Sequence, residues 1–298
     1  MNRTFFPVQP YDLGATLESG QAFRWERRGD DYEGVVAGRW VRLRGGPEGI
    51  AAACAEPVTD WSWLAAYLQT DVDLAAVLRT FPKDAALTEA VTACRGLRLL
   101  RQDPWECLAS FILSSTKQIV QIRQIVDELC RRFGEPLAVP PGCAAAFAFP
   151  TAARLAACSE AELRGCRMGF RAPYLRETAG RIAAGDPDLA ALARLSIAEA
   201  RAALLELPGV GRKIADCVLL FAYGFPAAFP IDVWVAHILR RRYFPRRRVS
   251  LARLQAFVEG HFGPHAGYAQ QYLFHSIRLQ EGRARAVAPA SPPSPASP

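Results

Sequence analysis

Lys213 and Asp232 are the residues whose types and spacing point most directly to chemistry. Lys213 lies in LPGVGRKIADC (207–217), just past two glycines, where a helix is expected to begin. The positive end of the helix dipole makes that a poor place for a cation. Burial in a pocket adds to the effect and makes the neutral amine more accessible. A neutral lysine amine is what nucleophilic attack and Schiff-base formation require. The plainer role is a phosphate contact beside the glycines. Nineteen residues later, in FPIDVWVAHILRR, Asp232 stands at the expected N-cap of the next helix. Aspartate is favoured there for structural reasons alone. Facing Lys213 across a cleft, it would instead stabilise a cation that develops during reaction. Neither residue decides the matter singly; the pair, in this order and spacing, does.

The elements around the pair are readable. Ser196 and Glu199 form a capping box that starts a helix running to about Glu206. Gly209 and Gly211 then allow a tight reversal, since glycine takes conformations that other residues resist. A second helix starts near Arg212, with Ile214, Cys217, Val218 and Phe221 on its apolar side. Such a hairpin presents backbone N–H groups outward, a seat for phosphate. It is either a short helical corner or a helix–hairpin–helix gripping a DNA backbone. It is not a Walker loop, because Arg212-Lys213 stands where Gly-Lys-Ser/Thr is required.

Upstream, residues 20–45 read as a meander, with strands expected at Ala22–Arg27, Tyr32–Val36 and Trp40–Arg44. From Trp61 onward WSWLAAYLQ, DLAAVLRTF, ALTEAVTAC and ECLASFILSS repeat apolar residues at helical spacing. IVQIRQIVDELCRRFG continues this and ends at Gly134 as a helix C-cap. Pro140, Pro141, Pro150 and Pro173 punctuate shorter helices, and the Pro/Ser/Ala-rich tail 286–298 is expected to be disordered. The expected fold is α+β: an antiparallel β domain with helices (1–95) packed on a helical body (96–285) that contains the hairpin (196–223).

Composition sets the outer bounds. At 298 residues, 51% hydrophobic and 22% charged, the chain reads as a globular protein with a substantial core. A net charge of +7 makes polyanions plausible partners. The runs Arg240–Arg242 and Arg246–Arg248 are either part of such a surface or a solvated helix end and loop. The N-terminal residues lack a signal-peptide pattern. The longest uncharged stretch, Cys217–Ile231, is shorter than a membrane span and is broken by Gly224, Pro226 and Pro230. The expectation is an intracellular protein with no membrane contact: cytoplasm or nucleoid in a bacterium, nucleus in a eukaryote. Eight cysteines form no CxxC pair, and His261 and His265 flank a Gly-Pro. No iron–sulfur cluster, catalytic metal or organic cofactor is expected.

The hairpin with its lysine and downstream aspartate resembles the helix–hairpin–helix superfamily of base-excision DNA glycosylases, whose lysine-bearing members also cleave the strand. Endonuclease III-like members usually carry four clustered cysteines after the aspartate, whereas no cysteine follows Cys217 here. SGQAFRW (19–25), GLRLLRQDPWECLASFILSS (96–115) and GYAQQYLF (267–274) look like segments of eukaryotic-type 8-oxoguanine DNA glycosylases. The resemblance runs from about residue 7 to 280 and carries four motifs in order. It implies that Lys213 attacks C1′ of a flipped nucleotide, and that Asp232 supports the positive charge on the sugar and helps manage the lysine proton. Phe274 and Cys217 would sandwich the base, Gln270 would bond its Watson–Crick edge, and the Gly20 carbonyl would accept the N7 hydrogen that only the oxidised base has. The carbonyls of Leu205, Leu207 and Val210 would hold a structural monovalent cation.

Departures from the family fall on the side that reads the opposite base. Thr116, Lys117 and Gln118 replace three asparagines, of which the first fills the gap left by the flipped base. Thr116 is shorter, and Lys117 is the substitute. Gln121 stands in place of an arginine that reads cytosine; the other such arginine is kept as Arg171. Phe170 replaces a wedge tyrosine, and Trp234 replaces a phosphate-binding histidine. The resemblance implies a glycosylase and lyase on duplex DNA, and a monomer is the default expectation. The alternatives are a lyase of the same fold for another lesion and a non-catalytic DNA-binding module.

Overall fold

A computed structural model describes residues 1–115 and 117–287. Thr116 and all but the first two residues of the 286–298 tail therefore lie outside the described residues. Strands β1 (Asn2–Phe6), β2 (Glu26–Arg28), β3 (Asp31–Val36), β4 (Arg39–Gly46) and β5 (Gly49–Cys54) form a sheet in the order β1-β5-β4-β3-β2. Every neighbouring pair is antiparallel. The expected strands at 32–36 and 40–44 are β3 and β4, joined by a two-residue turn with positive φ at Ala37 and Gly38.

The first expected strand is corrected: of Ala22–Arg27 only Glu26 and Arg27 pair. Trp25 is drawn onto the sheet instead, with its ring where a side chain at Gly34 would stand and its Nε1 donating to the Tyr67 hydroxyl at 2.8 Å. Strands β1 and β5 are additions to the expected meander. The sequence of β5, GIAAAC, has little intrinsic strand preference, and it is held by neighbours on both edges.

Helices α1 (Leu13–Glu18) and α2 (Ser62–Leu68) close the sheet's core through Leu13, Leu17, Leu64 and Leu68. The body contains α3 (Leu74–Arg79), α4 (Ala85–Ala93), α5 (Pro104–Leu113), α6 (Ile119–Phe133), α7 (Ala152–Ala156), α8 (Glu160–Arg164) and α9 (Ala172–Ala183). It continues with α10 (Ile197–Leu205), α11 (Arg212–Val218), α12 (Val233–Tyr243), α13 (Leu251–His261) and α14 (Ala266–Val287). The four helical patterns read from Trp61 to Ser115 correspond to α2–α5. Helix α5 is buried at every position from Cys107 to Leu113, a run in which Ser110 is the one polar side chain. Where shorter helices were expected after Pro140, a two-stranded ribbon of β6 (Pro136–Leu137) and β7 (Ala146–Phe147) precedes them. Gly134 does cap α6, but in extended conformation; a side chain there would overlap the Ala148 carbonyl.

A buried ion pair ties α10 to α11. Asp216 is 3% exposed, and its Oδ1 accepts from Arg201 Nε at 2.7 Å, with Arg212 Nε 3.7 Å from Oδ2. Burial still pushes the Asp216 carboxyl above its usual range, against the pull of both arginines. Removing one partner from such a pair leaves a buried charge uncompensated. Arg201→Met should therefore lower stability by about 3 kcal/mol, with Arg212 limiting the loss. Urea denaturation should show this as a lower midpoint, partly restored in Arg201→Lys.

Candidate active site

The hairpin forms as its sequence demands, with one correction. Ser196 caps α10 through the expected box, accepting from Glu199 N while the Glu199 carboxylate accepts from Ser196 N at 2.9 Å. Gly209 has φ +74°, and a side chain there would come within 2.9 Å of Tyr174 Cβ. Gly211 differs: its φ of −93° and ψ of 175° are open to any residue. A Cβ there would meet no atom within 4 Å apart from its chain neighbours, so neither conformation nor crowding requires glycine at this N-cap of α11. Several hairpin carbonyls are already engaged, Glu206 by Arg181 Nη1 at 2.6 Å and Pro208 by Thr178 Oγ1 at 3.0 Å. Of the expected cation ligands, Leu207 accepts from Val210 N at 3.1 Å and keeps its second lone pair. Among the described residues, no donor outside a helix reaches the carbonyls of Leu205 and Val210.

Lys213 occupies the first turn of α11, half-buried. Its Nζ donates to Ser114 Oγ at 3.0 Å and lies 5.1 Å from the centre of the Phe111 ring. Both partners come from α5 and its C-cap, so the central helix of the body aims the amine. Asp232 is the N-cap of α12, with Oδ1 accepting from Val235 N at 2.8 Å. Burial raises its carboxyl above the usual range; the backbone N–H of Val235, the charge of Lys213, the N–H of Trp234 and the charge of Arg278 oppose that rise. The lysine and aspartate thus share one electrostatic environment without the lysine being locked into an ion pair with the aspartate. Cys217, one turn beyond Lys213 and in contact with it, is buried, and burial pushes its thiol up to about 12.

The loop carrying Gly20 comes from the β domain and is fixed by Gln21. This buried amide donates to Thr16 O at 2.9 Å, Ser19 Oγ at 3.2 Å and Arg98 O at 2.8 Å, and accepts from Leu100 N at 2.8 Å. Gln271 Nε2 on α14 donates to Ser19 O at 3.2 Å. Gly20 is left with φ +80°, and a side chain there would run into Ile119 Cδ1 and stand 3.5 Å from Phe274 Cε1. Phe274 and Gly20 are therefore brought together, as expected for two walls of one pocket. Gln270, also on α14, is 4% exposed, and its Oε1 meets no hydrogen-bond donor among the described residues. A buried acceptor without a donor is costly unless a ligand supplies one.

The residues expected to read the opposite base are more dispersed. Lys117 is half-buried and donates its N–H to Ser114 O at 3.3 Å. Gln121 is exposed, and its Oε1 caps α6 by accepting from Gln118 N at 3.0 Å. Phe170 is 58% exposed, with the buried Arg171 guanidinium 4.2 Å from its ring centre. Trp234 is half-buried in the first turn of α12, beside the exposed Val233. Ser114, Ile119 and Arg278 were given no role from the sequence. Ser114 was within a quoted motif, but only the packing of α5 against α11 gives it a function. An open groove of about 510 Å³, lined in part by Arg24, Trp25, Trp40 and Asp127, includes neither Lys213 nor Asp232. Its lining mixes both signs of charge and lacks the lysine–aspartate pair, so the chemistry is assigned to the lysine side. No group of three His, Cys, Asp or Glu side chains is placed to hold a metal among the described residues, and none of their helices is long and apolar enough to cross a membrane.

Hairpin, lysine and capped aspartate together define a protein of the helix–hairpin–helix class with an amine at its centre. Residues 4–108 match the family model for the 8-oxoguanine DNA glycosylase N-terminal domain, and residues 109–257 that for HhH-GPD superfamily base excision DNA repair proteins. The chain belongs to the 8-oxoguanine DNA glycosylase family. It is 34% identical to the N-glycosylase/DNA lyase OGG1 of Arabidopsis thaliana over 285 residues, covering 88% of this chain and 76% of that one. Among solved structures it is similar to Clostridium acetobutylicum 8-oxoguanine glycosylase/lyase in complex with duplex DNA containing cytosine opposite 8-oxoG. The identity there is 30% and the TM-score 0.86, covering 91% of this chain and 93% of that one. A structure of MBOgg1 with a low-affinity DNA ligand shows 31% identity and a TM-score of 0.88 over 94% of this chain and 100% of that one.

Gly20→Ala tests the pocket wall. The left-handed conformation alone should cost about 1–2 kcal/mol, while Ile119, whose flexible end is the obstacle, can rotate aside. A lowered urea midpoint with native circular dichroism is the expected result.

Proposed function

We infer that this protein is a bifunctional DNA glycosylase and abasic-site lyase that excises 8-oxoguanine from duplex DNA in base excision repair. The observation that carries this is a lysine amine held by Ser114, in the field of the Asp232 carboxylate, beside a pocket whose buried Gln270 Oε1 awaits a donor. The flipped nucleotide places its base against Phe274 and Cys217. Gln270 bonds the Watson–Crick edge, and the Gly20 carbonyl accepts the N7 hydrogen of the oxidised base. Neutral Lys213 then attacks C1′: a C–N bond to the lysine forms and the glycosidic bond breaks, its electron pair leaving with the base. Asp232 stabilises the cationic sugar and takes part in relaying the lysine proton. Ring opening gives a Schiff base, whose acidified C2′ proton passes to water while the C2′–H pair forms a C2′–C3′ double bond and the 3′ carbon–oxygen bond breaks, its electrons leaving with the phosphate.

Lys117, Gln121, Phe170, Arg171 and Trp234 face the opposite strand and the duplex in this reading, and Gly209 and Gly211 seat a phosphate. The carbonyls of Leu205, Leu207 and Val210 suit a monovalent cation, which would add positive charge beneath that phosphate. No organic cofactor is needed, one chain supplies every group, and a monomer suffices. A duplex DNA substrate puts the enzyme inside the cell, in the compartment that holds the DNA.

The decisive experiment offers duplexes with 8-oxoguanine opposite each of the four bases, with borohydride present. A covalent adduct is expected, absent on undamaged DNA and in Lys213→Gln. That variant should lose strand cleavage by on the order of 10⁴-fold and keep its affinity. An adduct formed only on a pre-made abasic site would mean another lesion; none on either would leave a binding module.

Asp232 should set the acid limb of the single-turnover rate. Its carboxyl is raised by burial, so the working carboxylate is lost as pH falls through a value above the ordinary ~3.9. Asp232→Asn should lower the rate by about 10²–10³-fold and flatten that limb.

A further inference from the structure

Two arginines beside the pocket take no part in the chemistry above. Ile119 and Phe274 meet at Gly20, one from α6 and the other from α14. Residues four apart on a helix lie on the same face. Arg123 is thus one turn beyond Ile119, where it also lines the open groove, and Arg278 is one turn beyond Phe274, near enough for the charge of Arg123 to act on it. Arg278 lies with its guanidinium carbon 5.4 Å from the centre of the Phe274 ring. Arg123 Nη2 reaches the Leu17 carbonyl at 3.5 Å, and its Nε is sealed from solvent with no acceptor among the described residues.

Neither arginine has a carboxylate within ion-pair distance among the described residues, although both are half-buried. Burial, and then the charge of Arg123, push the Arg278 guanidinium below its usual range, and only Asp232 opposes them. Two desolvated like charges with an unused buried donor form an arrangement that an anion would complete. Guanidinium forks suit phosphate in particular.

We propose that Arg123 and Arg278 form an anion site beside the base pocket that takes a backbone phosphate of the lesion strand when the nucleotide is flipped. This rests on the glycosylase reading above. The flipped base on Phe274 and the sugar at Lys213 and Asp232 bring the nucleotide's own phosphates to the face where Arg278 stands. Arg278 then does two things at once: it grips the phosphate, and it shields Asp232 from the phosphate's charge.

Affinity of the full chain for a duplex with a non-cleavable abasic analogue, measured against salt concentration, tests this. Each phosphate contact contributes about 0.9 to the slope of log Kobs against log[salt]. The double variant Arg123→Met/Arg278→Met should lose about one such contact's worth of slope and bind about tenfold more weakly at low salt, while Arg278→Lys keeps the slope. Urea midpoints establish that each variant is folded, and Arg278→Gln replaces the Met variant if that one is not. An unchanged slope in a folded double variant would overturn the proposal. So would calorimetry in which inorganic phosphate binding is lost but the DNA slope stays, because the occupant would then be a free anion. Wild-type protein that excises no 8-oxoguanine would point instead to failure of the underlying function.

Discussion

Gln21 holds together the two halves from which the pocket is made. Its side chain bonds the end of α1, the Ser19 hydroxyl and the 98–100 segment, and its own carbonyl accepts from Gln102 Nε2 at 2.7 Å. Gln102 N in turn donates to Phe221 O, at the wide helical turn that follows α11. One buried amide therefore links the β domain, through a short extended segment, to the helix that carries Lys213. A satisfied polar network in a low-dielectric interior is rigid because every broken bond strands a partner. That rigidity lets Gly20 keep a left-handed conformation facing an aromatic ring across a domain boundary.

The electrostatics of the site are a balance that a static list of charges conceals. Asp232 is drawn up by burial and down by two cations and two backbone N–H groups. Lys213 keeps a hydroxyl partner and an aromatic face in place of a direct carboxylate partner. An ion pair locked at contact would hold the amine in its charged form, whereas a hydroxyl can stay bonded to it in either state. Cys217, neutral at physiological pH with its thiol pushed up to about 12, adds polarizable surface without adding charge.

What could be read from the sequence was what depends on neighbours along the chain. The capping box at Ser196, the left-handed Gly209 and the N-cap role of Asp232 are local, and each is found. So are the amphipathic period of α6 and the helical spacing of apolar residues in α5. The misreadings have the same root. Strand β5 is alanine-rich and becomes a strand only because β1 and β4 flank it, and Ala22–Trp25 leaves the sheet because Gly34 makes room for an indole. Gly211 looked like Gly209, but its extended backbone and open surroundings demand no glycine, which no pattern of residue types reveals. Ser114 and Ile119 gain their roles from contacts about a hundred residues away in the chain, and Arg278 from Asp232 on a different helix.

The site is in this way divided between two kinds of construction. The amine, its hydroxyl partner and the carboxylate all sit on helix ends within the body, at α5, α11 and α12, fixed by caps and by the packing of those helices. The pocket proposed to recognise the base instead joins a loop of the β domain to α14, through Gln21 and Gln271, and depends on how two separate cores meet. On the proposed roles, forming a Schiff base at an abasic sugar requires the first construction alone; choosing one oxidised purine among normal bases requires both. Loosening the junction between the cores should therefore erode selectivity before it erodes lyase chemistry, because the groups that do chemistry are not the groups that span the junction.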